Sequence, residues 1–380
     1  MRKILFISND AFYAGAQLLM LKIIDHLYYN HDISFDIIFL KEGKLEKEIS
    51  KYKTARSFIW NKDFYSKKSN KIFDFKSKFK NHTVWKHFSK QDYILIYCNT
   101  ILVGEILDEF LFLKKPILSH IHELDSWISA VRNENRNIIW NNAQRFIAVS
   151  EAVKQNLVKR YNVDSNKIDV IHGFVDFDIP ENTPYQDLRS VLKLRKESII
   201  IGSVGVEDWR KGKDLFVQIA NHLLRKNLNL DIHFVWIGGQ FDQKIHYDLN
   251  KFGISANVHI LEHTKNVRKY FSEFKIFAMT SREDPFPLVN LEALSVGVPI
   301  VCFENAGGSI ELVNENCGFS SPYCNTLEFA NMLEKLLIDR ECYDQISLTA
   351  KKIIVEKYSK DVQLPKIINL IKEMIGDVKN

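Results

Sequence analysis

Short apolar runs recur along this chain at residues 3–8, 33–40, 93–97, 116–120 and 145–149, and again at 198–204, 231–237, 258–261, 275–279 and 299–304. Each has the length of a strand. Helical spacing of apolar residues follows many of them, as over residues 17–29, 103–112, 326–338 and 364–375. Runs that are apolar throughout, rather than alternating, suit strands covered on both faces. Strand, crossover helix and strand is the repeating unit of a parallel sheet, so the fold class is α/β with doubly wound sheets. The rhythm breaks among polar residues at 178–188, around Pro180 and Pro184, and 380 residues are ample for two cores. Two Rossmann-like domains facing each other across a cleft are expected, at residues 1–180 and 181–355, with a last helix in residues 356–380.

Composition removes some alternatives. The five cysteines, Cys98, Cys302, Cys317, Cys324 and Cys342, are odd in number and lack paired ligand spacing, which reads as a reducing, cytoplasmic setting. Polar Ser8, Asn9 and Asp10 interrupt the first apolar run too early for a signal peptide. No apolar run approaches the ~20 residues of a membrane-spanning helix. Charge is unevenly placed: residues 41–90 hold 15 Lys and Arg against 5 Asp and Glu, so of the net +5 this stretch carries +10 and the remainder −5. Trp60, Phe64, Tyr65, Phe73, Phe75, Phe79 and Trp85 are interleaved with those charges. A basic, aromatic surface of this kind suits an anionic membrane face, whereas no nucleic-acid motif accompanies it.

Residues 280–299 read Thr-Ser-Arg-Glu-Asp-Pro-Phe-Pro-Leu-Val-Asn-Leu-Glu-Ala-Leu-Ser-Val-Gly-Val-Pro. They suit a strand end, a carboxylate-bearing loop and a helix in which Pro287 takes the first position and Gly297 with Pro299 the stop. Leu288, Leu291 and Leu294 space an inward face. The first amides, at Leu288 and Val289, then emerge from a positive helix end at the carboxyl edge of a sheet, where an anion is favoured. Asp284 stands before that end and Glu292 just over one turn inside it. Taken alone, Asp284 reads as a cap and Glu292 as a solvated acid rather than as ligand groups.

Other loops at carboxyl edges carry candidate groups. After residues 3–8 comes Asn-Asp-Ala-Phe-Tyr-Ala-Gly-Ala-Gln, where Gly15 and Ala16 bring backbone amides to a helix start. Residues 119–124 read Ser-His-Ile-His-Glu-Leu; His120 and His122 point the same way if extended, yet no third residue completes a metal site. Residues 205–214 hold Arg210, Lys211 and Lys213, cations able to offset a diphosphate without a metal. Gly202 and Gly205 lack the third glycine of a dinucleotide fingerprint, which argues against a nicotinamide-dependent oxidoreductase.

The stretch ending at Glu292 resembles the signature of retaining nucleotide-sugar glycosyltransferases of family four, a GT-B fold, in which Glu, seven residues and Glu recur. Asp284 fills the first acid's place with Glu283 beside it, and Pro285 and Pro287 replace the glycines that usually flank Phe286. The resemblance extends in order through Gly15 and Ala16, His122, the Val-Ser-Glu of residues 149–151, His172-Gly173 and Lys211-Gly212. The family's arginine ahead of that lysine falls at Val206, so Arg210 is the substitute nearest by sequence.

The resemblance implies a hexosyltransferase-like enzyme needing no metal or other cofactor. It would move a sugar from a nucleotide diphosphate donor to a hydroxyl of a glycan or lipid-linked acceptor, in bacterial surface polysaccharide synthesis. It implies His122, Asp284 and Glu283 at the sugar, and Gly15, Ala16, Gly205, Arg210, Lys211, Phe286, Leu288, Val289 and Glu292 at the donor. The acceptor belongs to the first domain, and the C-terminal helix crosses back to it. A sugar-nucleotide epimerase or a silent sugar-nucleotide-binding protein on the same fold is the alternative. Location is cytoplasmic, with peripheral membrane attachment through residues 41–90.

Overall fold

The computed structural model describes residues 2–63, 82–176, 187–226, 228–240, 242–264 and 267–376. The chain divides into two compact units, one of residues 1–171 with 364–380 and the other of residues 172–363. Division therefore falls at the Ile171 to His172 step, ahead of the polar stretch at 178–188; residues 177–186 of that stretch lie outside the described residues.

The first unit is built on seven strands: β1 (Lys3–Asp10), β2 (Ser34–Lys41), β3 (Arg56–Ile59), β4 (Tyr93–Cys98), β5 (Ile117–Ile121), β6 (Arg145–Ala148) and β7 (Ile168–Val170). They pair in parallel in the order β3-β2-β1-β4-β5-β6-β7. β1, β4 and β5 read as nearly unbroken apolar runs because helices cover both faces; Ile4, Leu5, Leu95, Ile96 and Leu118 are fully buried. The edge strands β3 and β7 are the ones that sequence periodicity misses, since Arg-Ser-Phe-Ile and Ile-Asp-Val carry too few apolar residues to stand out. Asp36 of β2 is a buried acid: it accepts from Lys3 Nζ at 3.1 Å, Arg56 N at 3.1 Å and Tyr93 Oη at 2.5 Å, and pairs with His87 Nε2 at 2.9 Å. Those partners repay the desolvation that a lone buried carboxylate would suffer.

Residues 64–81 of the basic, aromatic stretch lie outside the described residues. Its described aromatics are not an open surface. Trp60 is buried, and Trp85 stacks on Phe110 with ring centroids 5.4 Å apart. Apolar rings near a sheet edge gain more from burial than from lying beside lysines.

The second unit holds β8 (Ile199–Val204), β9 (Ile232–Ile237), β10 (Val258–Leu261), β11 (Ile276–Met279), β12 (Ile300–Phe303) and β13 (Gly318–Ser321). These are parallel in the order β10-β9-β8-β11-β12-β13. Ile201, Phe234, Trp236, Ile276 and Val301 meet Phe216, Ile219 and Leu223 of the helix Lys213–Leu224 in one core. In both sheets the strand order reverses beside the first strand, between β1 and β4 and between β8 and β11. The loops leaving the carboxyl ends of those neighbours must therefore lie together, which is where open α/β sheets bind ligands. The last helix, Lys360–Met374, starts in the second unit and ends in the first.

Candidate active site

In the second unit the loops after β8 and β11 are joined by their own side chains. Lys211 Nζ donates to Asp284 Oδ2 at 2.6 Å, bringing the cationic turn onto the carboxylate loop from 73 residues away. Thr280 Oγ1 donates to the carbonyls of Lys211 and Gly212 at 3.2 and 3.1 Å. Arg282 N donates to Arg210 O at 2.6 Å, and its guanidinium forks onto Asp214 at 2.8 and 2.6 Å. That fork also reaches Trp209 O at 3.0 Å and lies over the Trp209 ring. Gly212 turns the chain at φ +70°, a left-handed conformation natural to glycine.

Beyond Asp284 the helix begins at Leu288 rather than at Pro287, which sits just outside it with ψ 115°. An extended ψ is usual for the residue that precedes a helix; ahead of it Asp284 bridges to Gly307, with Asp284 N donating to Ala306 O at 2.7 Å and Gly308 N to Asp284 O at 3.1 Å. The helix Leu288–Ser295 still opens with Leu288 and Val289, whose amides precede any carbonyl one turn back. Glu292 Oε1 accepts from Arg268 Nε at 2.8 Å, and Arg268 Nη1 reaches Asp176 O at 3.2 Å. Glu283 is half-buried beside Asp284.

The three cations of the turn part company. Lys211 meets Asp284, Arg210 Nη2 bonds Asp208 Oδ2 at 2.8 Å, and Lys213 Nζ turns to Glu207 Oε1 at 2.5 Å. Lys213 is thus committed to its own loop rather than to the Asp284 side. Gly205 accepts Trp236 Nε1 at 3.0 Å on its carbonyl, and a Cβ built on it would stand 3.3 Å from the Lys211 side chain. Phe286 is buried, its ring 4.8 Å from His172 and 5.7 Å from Tyr358.

In the first unit Gly15 and Ala16 are the first residues of the helix Gly15–His31, not loop residues. Asn99, just after β4, ties that start down: its Nδ2 donates to Ala16 O at 3.3 Å and to Ser8 Oγ at 3.4 Å. His120 lies inside β5, one residue before its end, with Nδ1 2.7 Å from Tyr97 Oη, and its ring lies 4.0 Å from that of His122. Nε2 of each histidine has no hydrogen-bond partner among the described residues. Burial pushes the His122 imidazole down to about 3, and the same cause lowers His120.

Next in sequence, Glu123 is buried and accepts from Thr100 Oγ1, from His122 N at 3.0 Å and from Ile101 N at 3.4 Å. Burial pushes its carboxyl up to about 7 although all three donors favour the carboxylate. Sequence reasoning missed Glu123, Arg268 and Arg282 as site residues. A Glu beside a candidate histidine was the available signal for the first; the two arginines become meaningful only once their partners are known.

Two family models match. One described as glycosyl transferases group 1 covers residues 185–353, and one described as glycosyltransferase family 4 covers residues 62–179. The chain belongs to the GT-B glycosyltransferases of the family-four type. Among relatives of this family, the capsular polysaccharide biosynthesis glycosyltransferase CapM of Staphylococcus aureus is 22% identical over 230 residues, 58% of this chain and 59% of CapM. An Escherichia coli UDP-Gal:alpha-D-GlcNAc-diphosphoundecaprenol alpha-1,3-galactosyltransferase is 25% identical over 236 residues, 61% of this chain and 60% of its own. The matched region spans 59%, 52% and 48% of three such curated relatives, so about half of their length.

Among solved structures, Anabaena Alr3699/HepE in complex with UDP superposes with a TM-score of 0.77 at 20% identity, over 99% of this chain and 100% of that one. WaaG, a glycosyltransferase involved in lipopolysaccharide biosynthesis, gives 0.68 at 13% identity over 97% and 99%. At these identities the likeness carries the fold, two parallel-sheet Rossmann-like domains of the GT-B class. No helix among the described residues is long and apolar enough to cross a membrane.

Proposed function

We propose that this family member is a retaining glycosyltransferase that moves a sugar from a nucleotide diphosphate donor to a hydroxyl of a glycan or lipid-linked acceptor, in bacterial surface polysaccharide synthesis. The observation that carries the reading is the 2.6 Å contact between Lys211 and Asp284. It joins a cation to the carboxylate proposed to take a sugar hydroxyl, in the loop that leads to the helix start at Leu288.

In this reading the second unit holds the donor. Lys211, whose side chain is 20% exposed, offsets charge on the diphosphate together with the amides of Leu288 and Val289, so no metal is required for that task. Arg210, the nearest substitute by sequence for the family's missing arginine, contributes from its Asp208-braced position. Gly15, Ala16, Gly205 and Phe286 keep the donor-side assignment that the family resemblance gives them. Glu292, steadied by Arg268, takes ribose hydroxyls, and Asp284 or Glu283 takes a sugar hydroxyl. The first unit supplies His122 and the acceptor surface. With its pKa pressed down to about 3, His122 is a neutral imidazole at working pH. It offers Nε2 as a hydrogen-bonding group beside the reacting carbon rather than a second cation. Among the described residues no other group at the proposed site is placed as a conventional base, and in this reading the departing diphosphate accepts the acceptor's proton. Residues 41–90 attach the enzyme to the anionic inner face of the membrane.

Relatives that act in capsule synthesis and on a diphosphoundecaprenol acceptor, and a neighbour crystallised with UDP, support this substrate class. The test is a screen of nucleotide diphosphate sugars against purified protein. Acceptor-dependent release of nucleoside diphosphate is expected. Epimerised donor, or binding with no turnover, would overturn transfer in favour of an epimerase or a silent binding protein.

A further inference from the structure

Glu123 occupies a position that packing alone does not explain. A carboxyl group buried to 8% exposure at the carboxyl edge of a sheet is costly, and an apolar side chain of similar volume would avoid that cost. The surroundings are shaped for the charged form. Thr100 Oγ1 donates to Oε1, while Ile101 N and His122 N converge on Oε2 at 3.4 and 3.0 Å. Thr100 and Ile101 belong to the turn after β4, and His122 to the loop after β5. One carboxylate therefore joins two neighbouring loops, and one of its three donors is the backbone of His122 itself. Thr100 is fixed in turn, since its Oγ1 accepts from Leu102 N at 3.1 Å.

We infer that Glu123 is a positioning residue whose carboxylate clamps the turn after β4 to the loop after β5 and so sets His122 for sugar transfer. This rests on the proposed glycosyl transfer. Among the described residues, the titratable groups flanking the clamp are Tyr97 and Cys98 of β4, His120 of β5, His122, and Asp125, which is paired with Tyr161 Oη at 2.6 Å and Arg160 Nε at 2.9 Å. Burial raises Tyr97 and Cys98 and lowers both histidines, which moves all four away from neutrality. Glu123, raised to about 7, is the group in this cluster that changes charge in the working range. Protonation puts a hydrogen where two backbone N–H groups converge or where the Thr100 hydroxyl donates. Either way one donor is displaced, and the clamp opens.

The experiment measures kcat and donor KM from about pH 5 to about pH 9 for the wild type, Glu123→Gln, Thr100→Val and Thr100→Ser, using the donor and acceptor that the screen identifies. The wild type is expected to lose kcat below about pH 7 with the slope of one proton. Glu123→Gln should lose roughly 10- to 100-fold in kcat with donor KM within about threefold, because the donor is held by the other unit, and its acid limb should vanish. Thr100→Val, which keeps the carboxyl but removes one stabilising donor, should move the limb to higher pH, and Thr100→Ser should restore it.

Circular dichroism and thermal melting check folding, and Thr100→Val decides the matter if Glu123→Gln does not fold. An acid limb retained in Glu123→Gln, or unmoved by Thr100→Val, overturns the inference while leaving transfer in place. A wild type that transfers no sugar from any donor overturns the proposed function, and the inference with it.

Discussion

Gly212→Ala tests the joint that holds Lys211 against Asp284. Gly212 lies at φ +70°, and a Cβ built there would stand 2.1 Å from the Thr280 carbonyl oxygen, a backbone atom that cannot swing aside. Placing Ala in the left-handed region costs about 1–2 kcal/mol. Relieving the overlap means separating the turn from the end of β11 by roughly 1 Å, at a further ~1–3 kcal/mol. Gly253 provides an internal control, since it ends the helix Gln243–Phe252 at φ +73° with nothing within 4 Å of its would-be Cβ. Gly253→Ala should therefore pay only the conformational part, about 1–2 kcal/mol, against ~2–5 for Gly212→Ala.

Denaturant titration of each variant beside the wild type reads the difference. Calorimetric binding of the nucleoside diphosphate reads the site, because the displaced turn carries Lys211 away from Asp284. A loss of affinity of roughly tenfold or more is expected for Gly212→Ala, and little change for Gly253→Ala. If the two variants match in stability to within about 0.5 kcal/mol and bind equally well, the close approach of the two loops does not hold the site together.

Lys211→Ala should reduce transfer at least ~100-fold through lost charge stabilisation. It should also cost about 1–3 kcal/mol by stranding the buried Asp284 carboxylate, a cost that adding Asp284→Asn should largely remove in the same melting assay. Glu123 binds its proton more tightly folded than unfolded, rising from 4.5 to about 7, so its contribution to stability is full below about pH 4.5 and lost as pH rises through about 7. At ~1.4 kcal/mol per unit, the stability difference between Glu123→Gln and wild type should move by up to ~3 kcal/mol in favour of the variant across that window, and a flat difference would show that the group is not desolvated. Protein mixed with anionic vesicles should co-sediment at low salt and release at high salt, while full recovery in the supernatant at low salt would remove residues 41–90 as a membrane contact.

The sequence by itself determined the fold class and the identity of the candidate groups. Buried parallel strands must be apolar along their whole length, so β1, β4, β8, β9 and β12 announce themselves, and Ser150 marks its helix start by accepting from Val153 N at 3.2 Å. Short edge strands such as β3, β7 and β13 are half-covered and carry no such signature. Tertiary structure alone decided which groups meet. Lys211 and Asp284 belong to segments that become neighbours because β8 pairs with β11, and Thr100 reaches Glu123 because β4 pairs with β5. It also decided that Lys213 turns to Glu207 and that Trp60 and Trp85 pack inward. Local periodicity records whether a residue is covered; strand order depends on pairings between distant segments, and only those pairings fix which loop lies beside which.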